Sequence, residues 1–367
     1  MIAIILVGGY GTRLRPLTLT IPKPLVEFCN RPILLHQIRA LIEINIRKII
    51  LAINKQAHGL EQDIRDIIHQ EINDENLDLI FSYEEEPLGT GGPIKIVESA
   101  IKSNGKPFFV LNSDIICNYP LQEMIAFHEA HNLEGTMAIT KVDEPCKYGA
   151  VTYNLETKII EKFMEKPSKY LSCTINAGLY LFNPSIIDRI SSKPTSMEFE
   201  IFPKMVEEST LGALEFKGFW MDIGQPLDYL HGMRLYLGYL FESKSKILSK
   251  TNSNCRVQGN VIIHPSAKIS LDALIGPNVT IGKNVIVKSG VRLTNCAIFS
   301  NVVINDHSWI SQSIIGWNCT IGRWARIENN SVLGENVSVD DELFLNGALV
   351  LPNNLISESQ IEPTILL

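Results

Sequence analysis

The sequence lacks any hydrophobic run close to the roughly 20 consecutive apolar residues that cross a bilayer. Its opening run, residues 1–7, ends at Gly8 and has no basic segment before it, so we expect a buried first strand rather than a signal peptide. The sequence also has no surplus of basic charge. It contains 33 lysines and arginines but 40 aspartates and glutamates, which gives a net charge of −7. With no basic stripe, a nucleic-acid surface is not expected. We therefore expect neither a membrane nor a nucleic acid as partner.

Cysteine is scarce and no CxxC pair is present, which argues against a disulfide framework or a structural zinc site and favours a reducing, cytoplasmic compartment. The seven cysteines are scattered along the chain: Cys29, Cys117, Cys146, Cys173, Cys255, Cys296 and Cys319. Hydrophobic residues make up 45% and charged residues 20% of the 367 residues, the balance of an ordinary globular protein. At this length we expect two or three domains.

The first two thirds of the chain alternate apolar runs with segments of helical periodicity. Buried strands are predicted at residues 1–7, 47–53, 77–83 and 106–112, and helices at 33–44, 59–70 and 93–101. Further predicted elements are strands at 136–142, 148–154 and 174–182, a short helix near 184–190 and an amphipathic helix at 227–243. Such alternation predicts an α/β fold with a mostly parallel sheet and ligands bound at the carboxyl ends of its strands. We assign this domain to residues 1–243 and a polar linker to 244–256.

From residue 257 to the end the hydrophobic period changes to six. Every sixth position from 261 to 351 is apolar, sixteen in all, and a second apolar column runs from 263 to 299 and ends at Asn305. Repeats of this length build a parallel β-helix, in which stacked coils bury a continuous core. The Ile-Gly pairs move from the second column to the first, so we expect the register to slip within 303–315, at an inserted loop or turn.

A glycine-rich turn follows the first predicted strand. Gly8, Gly9 and Gly11 would let the backbone approach an anion, although the string is neither a dinucleotide fingerprint nor a Walker loop, and a simple tight turn is the alternative. Arg13 and Lys23 follow, with Arg15 between them. Three cationic side chains at one binding site are better suited to a polyphosphate ligand than to a ligand with a single carboxylate.

Two acids occur where a magnesium ion would need ligands. Asp114 follows the strand ending at residue 112, and Asp222 stands between an aromatic pair and a glycine turn. A Mg²⁺ ion that bridges phosphates typically binds one or two protein carboxylates, so a pair of acids is the expected number. The alternative interpretation of Asp114 is a residue that stabilises a turn or caps a helix. Glu165 and Lys166 read by themselves as a solvated surface pair. The segment 176–178 offers an amide to a polyhydroxyl ligand or forms a β-bulge.

In combination these motifs resemble one family. GGYGTRLRPLT, PKPL, EEEPLGTGGP, VLNSD, EKP, NAG and WMDIG occur in the order and spacing of the sugar-nucleotide pyrophosphorylases, over essentially the whole chain. With the hexapeptide tail, the chain is most similar to their catalytic β-type GDP-mannose pyrophosphorylases. A departure is Gly92, where alanine is commoner. The resemblance implies a Rossmann-like nucleotidyltransferase domain at 1–243, followed at 257–367 by a left-handed parallel β-helix.

The same resemblance implies a reaction. A phosphate oxygen of mannose 1-phosphate would attack the α-phosphorus of GTP in line, giving GDP-mannose and pyrophosphate with the help of Mg²⁺. Because the sugar phosphate is already an anion, no general base is needed. The β-helix is expected to mediate homo-oligomerisation, with an α-type regulatory subunit as a possible further partner.

The family roles transfer to this sequence residue by residue. Nucleotide contacts fall on Leu6, Gly8, Gly9, Gly11 and Thr12, with Arg13 and Lys23 on the β- and γ-phosphates. The base and ribose would face Glu85, Gly89 and Thr90, with Asn112 supporting the nucleoside side. Asp114 and Asp222 would hold Mg²⁺, Lys166 would bind the sugar 1-phosphate and stabilise the transition state, and Glu165, Asn176 and Gly178 would hold sugar hydroxyls.

Three alternatives remain open at this point. The first is the same chemistry with another nucleotide and sugar. The second is a catalytically silent regulatory subunit that binds GDP-mannose, or a related translation-exchange-factor subunit, against which the intact phosphate loop, Lys166 and Asp222 argue. The third gives the β-helix an acyltransferase activity with His264 or His307 as base, but no extended acyl-carrier loop is evident.

Overall fold

The computed structural model describes residues 1–9, 11–55, 59–72, 74–249 and 256–366. The chain divides into two compact units, the first made of Met1–Gly9 and Leu34–Trp220, the second of Tyr10–Ile33 and Met221–Leu367. The assignment of a domain to 1–243 and another to 257–367 stays a prediction, and residues 250–255 of the predicted linker lie outside the described residues. None of the helices in the described part of the chain has the length and apolarity to span a membrane.

The helices are α1 (Ile33–Glu43), α2 (Leu60–Glu71), α3 (Gly92–Ile96), α4 (Glu98–Asn104), α5 (Leu121–His131), α6 (Phe202–Glu207) and α7 (Pro226–Glu242). The strands before α7 are β1 (Ile2–Leu6), β2 (Glu27–Phe28), β3 (Arg31–Pro32), β4 (Lys48–Asn54), β5 (Asp78–Glu84), β6 (Phe108–Asn112), β7 (Ile115–Cys117), β8 (Gly135–Lys141), β9 (Gly149–Tyr153), β10 (Ile160–Glu165), β11 (Thr174–Phe182), β12 (Leu211–Glu215) and β13 (Trp220–Asp222). The short helix expected near 184–190 is the 3₁₀ segment Pro184–Arg189.

The first unit is built on a nine-stranded sheet. Its strand order is β10-β9-β11-β6-β1-β4-β5, and β8 joins β11 to β12. Strands β6, β1, β4 and β5 run parallel, while β11 enters antiparallel to β6 and β8. Ile2 and Ile4 pack in one cluster with Ile94 and Ile101 of α3 and α4, and Ala3 and Ile5 are buried on the opposite face of the sheet. Burial on both faces explains the continuous apolar run of β1. The expected Rossmann-like domain is confirmed.

One predicted helix is interrupted. The helix predicted at 93–101 is two helices, α3 and α4, because Val97 at φ −96° and ψ 18° leaves the helical region. The other predicted helices and strands are confirmed to within a few residues.

The second unit contains the β-helix. Its strands are β14 (Arg256–Val257), β15 (Val261–Ile263), β16 (Lys268–Ile269), β17 (Leu274–Ile275), β18 (Val279–Ile281), β19 (Ile286–Val287), β20 (Arg292–Thr294), β21 (Cys296–Ile298), β22 (Val303–Ile304), β23 (Trp309–Ser311), β24 (Ile314–Ile315), β25 (Thr320–Ile321), β26 (Arg326–Glu328), β27 (Val332–Leu333), β28 (Ser338–Val339), β29 (Phe344–Asn346), β30 (Leu349–Val350), β31 (Leu355–Ile356) and β32 (Ile365–Leu366). They form three parallel sheets of six, seven and six strands, the arrangement of a left-handed parallel β-helix, so this prediction is confirmed.

The register slips more often than the sequence indicated. Pairings such as Val261↔Val279 separate equivalent residues by 18 positions, whereas Val279↔Cys296 separates them by 17. Each coil has corners, turns that each join a strand of one sheet to the next strand in another sheet. Three of these corners contain one residue fewer than the others, and each has a single residue with positive φ: Asn295, Gln312 and Gly347. A slip inside 303–315 is therefore confirmed, but its cause is a missing residue rather than an insertion.

These short corners change which residues face the core. Ile298 and Ile304 are buried inside the coil, whereas Val303 is only partly buried and Trp309 is 39% exposed. Four members of the strict six-residue column predicted from the sequence therefore lie outside the core of the β-helix: Ala297, Val303, Trp309 and Leu351. The guanidinium of Arg326 instead lies 4.5 Å from the centre of the Trp309 ring on the outer surface.

Candidate active site

The loop after the first strand owes its shape to Gly11. Gly11 adopts the left-handed conformation, φ 59°, before the 3₁₀ turn Thr12–Leu14, and its carbonyl accepts the Thr18 hydroxyl at 2.7 Å. A Cβ at this position would also lie only 3.0 Å from Cβ of Lys23. Glycine is required here for both reasons, and Gly11 brings the two ends of the predicted phosphate loop together. Tyr10 lies outside the described residues.

In the same unit, three charged side chains converge on Gly224. A Cβ built there would lie 2.9 Å from Oδ1 of Asp222, 3.2 Å from Nη2 of Arg13 and 3.3 Å from Nζ of Lys23. The Gly224 N–H donates to Oδ1 of Asp222 at 2.9 Å, which holds that carboxylate in the turn. Two predicted phosphate cations and one predicted metal ligand therefore meet at one point, a surplus of one positive charge that suits a polyphosphate.

In the first unit, the carboxyl ends of β1 and β6 lie side by side. Leu6 pairs with Asn112, and the Ser113 N–H donates to the Leu6 carbonyl at 3.4 Å. Gly8 and Gly9 thus lie at the same sheet edge as the turn that carries Asp114. This is the edge at which parallel sheets bind ligands.

Two buried groups at this edge are not marked by any motif in the sequence. Gln37, fully buried on α1, donates from Nε2 to the carbonyls of Asn112 and Ile115 at 2.7 and 3.2 Å, and so holds the turn around Asp114. Glu84 places an oxygen 3.2 Å from where a Cβ of Gly8 would lie. Burial raises the pKa of Glu84, although the Leu88 N–H donates to it.

Glu84, rather than Glu85, is the buried acid of the EEE run. Glu85 is exposed and forms a 2.7 Å ion pair with Lys55, which lowers the pKa of Glu85. Further along, Gly89 at φ 73° packs on Thr195, whose N–H donates to the Leu88 carbonyl at 2.9 Å.

The departure at Gly92 has a steric cause in this chain. A Cβ at Gly92 would lie 2.1 Å from Cβ of Leu88, so alanine could not replace it without a backbone shift.

Thr90 connects the predicted base segment to a further acid. Its hydroxyl donates to Oε2 of Glu198 at 2.5 Å, and its oxygen accepts the Met197 N–H at 2.9 Å. The Ser196 hydroxyl also donates to Oε2 of Glu198, at 2.9 Å. No sequence motif had indicated Glu198.

Glu165 is the last residue of β10, and Lys166 follows it. The ammonium of Lys166 lies 3.7 Å from Oε1 of Glu165, with 66% of the lysine side chain exposed and 13% of the glutamate. Lys166 has a positive φ of 44°, rare for a residue with a side chain, and its N–H donates to the Tyr148 carbonyl at 3.1 Å. Burial raises the pKa of Glu165, with a further rise from Glu198 and an opposing effect of Lys166.

The 176–178 segment is the predicted bulge. The pairing of β11 with β8 shifts between Asn176 and Tyr180, and Gly178 has φ 74°. The Gly178 N–H donates to Oδ1 of Asn176 at 2.9 Å, and Nδ2 of Asn176 donates to the Tyr180 hydroxyl at 2.7 Å. A Cβ on Gly178 would meet Nδ2 of Asn112 at 2.9 Å, which places this segment beside the end of β6.

Three acidic side chains act on the buried phenol of Tyr180, next to Asn176. Burial raises the pKa of its phenol, and the negative charges of Glu198, Glu165 and Asp114 raise it further. The indole N–H of Trp220 donates to the Ala177 carbonyl at 2.9 Å. The predicted sugar-phosphate residues of this unit are therefore grouped in space, with Glu198 as an added member.

The metal-binding capacity of the site rests on single carboxylates. Within the described ranges, no group of three or more His, Cys, Asp or Glu side chains could hold a metal ion. Asp114 and Asp222 supply hard oxygen ligands of the kind that Mg²⁺ prefers, and a phosphate-bridging Mg²⁺ needs only one or two of them. Each of the two carboxylates, taken by itself within its own unit, therefore fits such an ion.

The structure is that of an α/β protein with a parallel β-helix, in which Arg13, Lys23 and Asp222 cluster at Gly224. The family model Nucleotidyl transferase matches residues 2–238, and the model GMPPB C-terminal domain matches residues 257–366. The chain belongs to the nucleotidyltransferase family, whose members generally use a divalent metal ion.

Relatives match over their full length. The mannose-1-phosphate guanyltransferase beta-B of Xenopus laevis is 50% identical over 367 residues, covering 100% of both chains. The mannose-1-phosphate guanylyltransferase 1 of Arabidopsis thaliana is 48% identical over 368 residues, again covering 100% of both. Among solved structures, HddC from Yersinia pseudotuberculosis in complex with GMP-PN is 29% identical, with a TM-score of 0.52 over 63% of this chain and 97% of that one.

Proposed function

We propose that this protein is a mannose-1-phosphate guanylyltransferase, which converts GTP and mannose 1-phosphate into GDP-mannose and pyrophosphate. The observation that carries the proposal is the meeting of Arg13, Lys23 and Asp222 at Gly224. Full-length identity near 50% to relatives that bear this name supports the choice of substrates.

The difficulty of the reaction is to bring two anions together. We propose that Arg13 and Lys23 neutralise the triphosphate, while Lys166 holds the sugar phosphate and stabilises the negative charge of the transition state. Leu6, Gly8, Gly9, Gly11 and Thr12 are proposed to contact the nucleotide. Glu85, Gly89, Thr90 and Asn112 are proposed on its nucleoside side, and Glu165, Asn176 and Gly178 at the sugar hydroxyls.

Asp114 and Asp222 are the residues proposed to bind Mg²⁺. When bound, the ion supplies charge neutralisation at the phosphates. Asp222 enters this role already oriented, since the Gly224 N–H fixes one of its oxygens. The attacking phosphate oxygen carries no proton to be removed, so no side chain acts as base.

A direct test is pyrophosphate release by the purified protein with Mg²⁺, across four nucleoside triphosphates and several hexose 1-phosphates. We expect kcat/KM for GTP with mannose 1-phosphate to exceed that of every other pair by at least about tenfold. Faster turnover of another pair would contradict the specificity and keep the chemistry. Tight GDP-mannose binding without turnover would indicate a regulatory subunit, and neither turnover nor binding would refute the proposal.

We propose further that the protein is cytoplasmic and assembles through its β-helix, as a homo-oligomer and with an α-type regulatory subunit. Light scattering during size exclusion should give at least twice the chain mass of 41.1 kDa. A mass of one chain at micromolar concentration would contradict self-association.

A further inference from the structure

A short hairpin, formed by β2 and β3, follows the 3₁₀ turn that begins at Lys23. The Val26 N–H donates to the Lys23 carbonyl at 3.2 Å and closes the 3₁₀ turn Lys23–Leu25. Strands β2 and β3 come next, and the Ile33 N–H returns to the Val26 carbonyl at 3.0 Å. The backbone position of Lys23 is therefore set by the position of this hairpin.

The side-chain carboxylate of Glu27 connects the hairpin to the β-helix through hydrogen bonds. Oε1 of Glu27 accepts the Ser300 hydroxyl at 2.8 Å and the indole N–H of Trp317 at 3.1 Å. Ser300 and Trp317 follow strands β21 and β24, which are paired in consecutive coils. Burial raises the pKa of Glu27, whereas the two hydrogen bonds and Lys283 oppose that rise.

Helix α7 covers the other side of the hairpin. The Tyr229 hydroxyl donates to the Glu27 carbonyl at 2.7 Å, and the rings of Tyr229 and Phe28 meet edge to face at 5.2 Å. Tyr229 also contacts Phe299, whose ring lies 4.6 Å from Trp317. Phe299, assigned by the sequence pattern to a column of the β-helix, is buried under this helix.

We propose that Glu27 is a positioning residue that couples the β-helix to nucleotide binding by fixing Lys23; this inference rests on the proposed function. A partly buried carboxylate costs desolvation energy, and in this hairpin we infer that its role is to set a unique geometry. Lys23 can bind phosphate only at hydrogen-bond distance, and a displacement of about 1 Å at such a contact costs on the order of 100-fold. The β-helix is thus part of the machinery that presents the phosphate loop, in addition to any role in assembly.

The test measures GTP affinity by calorimetry on the full-length protein without sugar phosphate. Glu27→Ala should raise the Kd for GTP about tenfold, because Ser300 and Trp317 lose their acceptor and the hairpin shifts. Glu27→Gln keeps an acceptor oxygen and should restore most of the affinity. In a Lys23→Ala background the same Glu27→Ala change should have less than about a twofold effect, since Glu27 acts through Lys23.

Matched variants separate positioning from general stability. Ser300→Ala with Trp317→Phe removes both donors without touching the hairpin and should reproduce Glu27→Ala, which also covers the case in which Glu27→Ala does not fold. Ser308→Ala is the control, because its buried hydroxyl donates to the Gly322 carbonyl inside the β-helix, away from the hairpin. It should lower the melting temperature and leave the Kd unchanged.

Two results would overturn the coupling. One is an unchanged Kd in both the Glu27→Ala and the donor-removal variants, and the other is an equal loss with and without Lys23. A wild-type protein that binds a different nucleoside triphosphate better would refute only the proposed specificity, and the series would be run with that nucleotide. A wild type that binds none would refute both proposals.

Discussion

Replacing Lys166 by alanine is expected to lower kcat by at least about 10²–10³-fold while the protein stays folded. The ammonium is the cation next to Glu165 in the group of predicted sugar-phosphate residues. Because 66% of the side chain is exposed, its loss should change the free energy of unfolding by less than about 0.5 kcal/mol. The measurement is steady-state pyrophosphate release, with thermal unfolding of the same preparation.

Lys162→Ala is the matched control for this experiment. Lys162 lies on β10, the strand that Lys166 follows, and is exposed, but it has no proposed role in the site. It should retain the wild-type kcat. A Lys166→Ala variant with near-native turnover, or an equal loss in Lys162→Ala, would remove Lys166 from the mechanism.

Local pattern was sufficient to predict most of the first unit. The run at residues 1–7 has no polar position, and a strand can bury such a run only where both faces of its sheet are covered, as they are at β1. The break at Val97 was not predictable, because hydrophobic spacing continues through it and only the backbone angles change.

In the β-helix, the sequence does not determine which of two neighbouring apolar residues faces the core. A period of six is visible in the sequence, but a corner shortened by one residue leaves apolar residues in both possible columns. Trp309 and Ile310 are adjacent and both apolar, and only the geometry of the preceding corners decides that Ile310 faces the core. A single positive-φ residue such as Gln312 carries no strong turn signature that would have marked the slip.

Motifs located the candidate residues but not the side chains that orient them. Three consecutive glutamates begin at residue 84, and the sequence cannot say which one points inward at the end of β5. Glu198 and Glu27 stand in segments without any recognisable pattern, and their partners Thr90 and Trp317 are more than a hundred residues away. Such long-range hydrogen bonds exist only in the folded chain.

Asp222 should be the second residue whose replacement nearly abolishes turnover, and two substitutions can separate its roles. Oδ1 of Asp222 accepts the Gly224 N–H, so asparagine can keep the turn while removing the charge. We expect Asp222→Asn to lose at least about 10²–10³-fold in kcat with little change in melting temperature. Asp222→Ala should lose as much activity and also some stability, since the N–H loses its acceptor.

The charge of Asp222 matters because it stands among cations. With the negative charge of the aspartate gone, the positive charges of Arg13 and Lys23 around Gly224 are less compensated, which favours binding of the triphosphate even as turnover falls. The expected signature of Asp222→Asn is therefore a large fall in kcat with no comparable weakening of GTP binding in the absence of metal. Glu242→Ala, at the exposed end of α7, should leave both quantities unchanged. If Asp222→Asn turned over at the wild-type rate, the carboxylate would be a turn residue only, and the proposed metal ligand would have to be sought elsewhere.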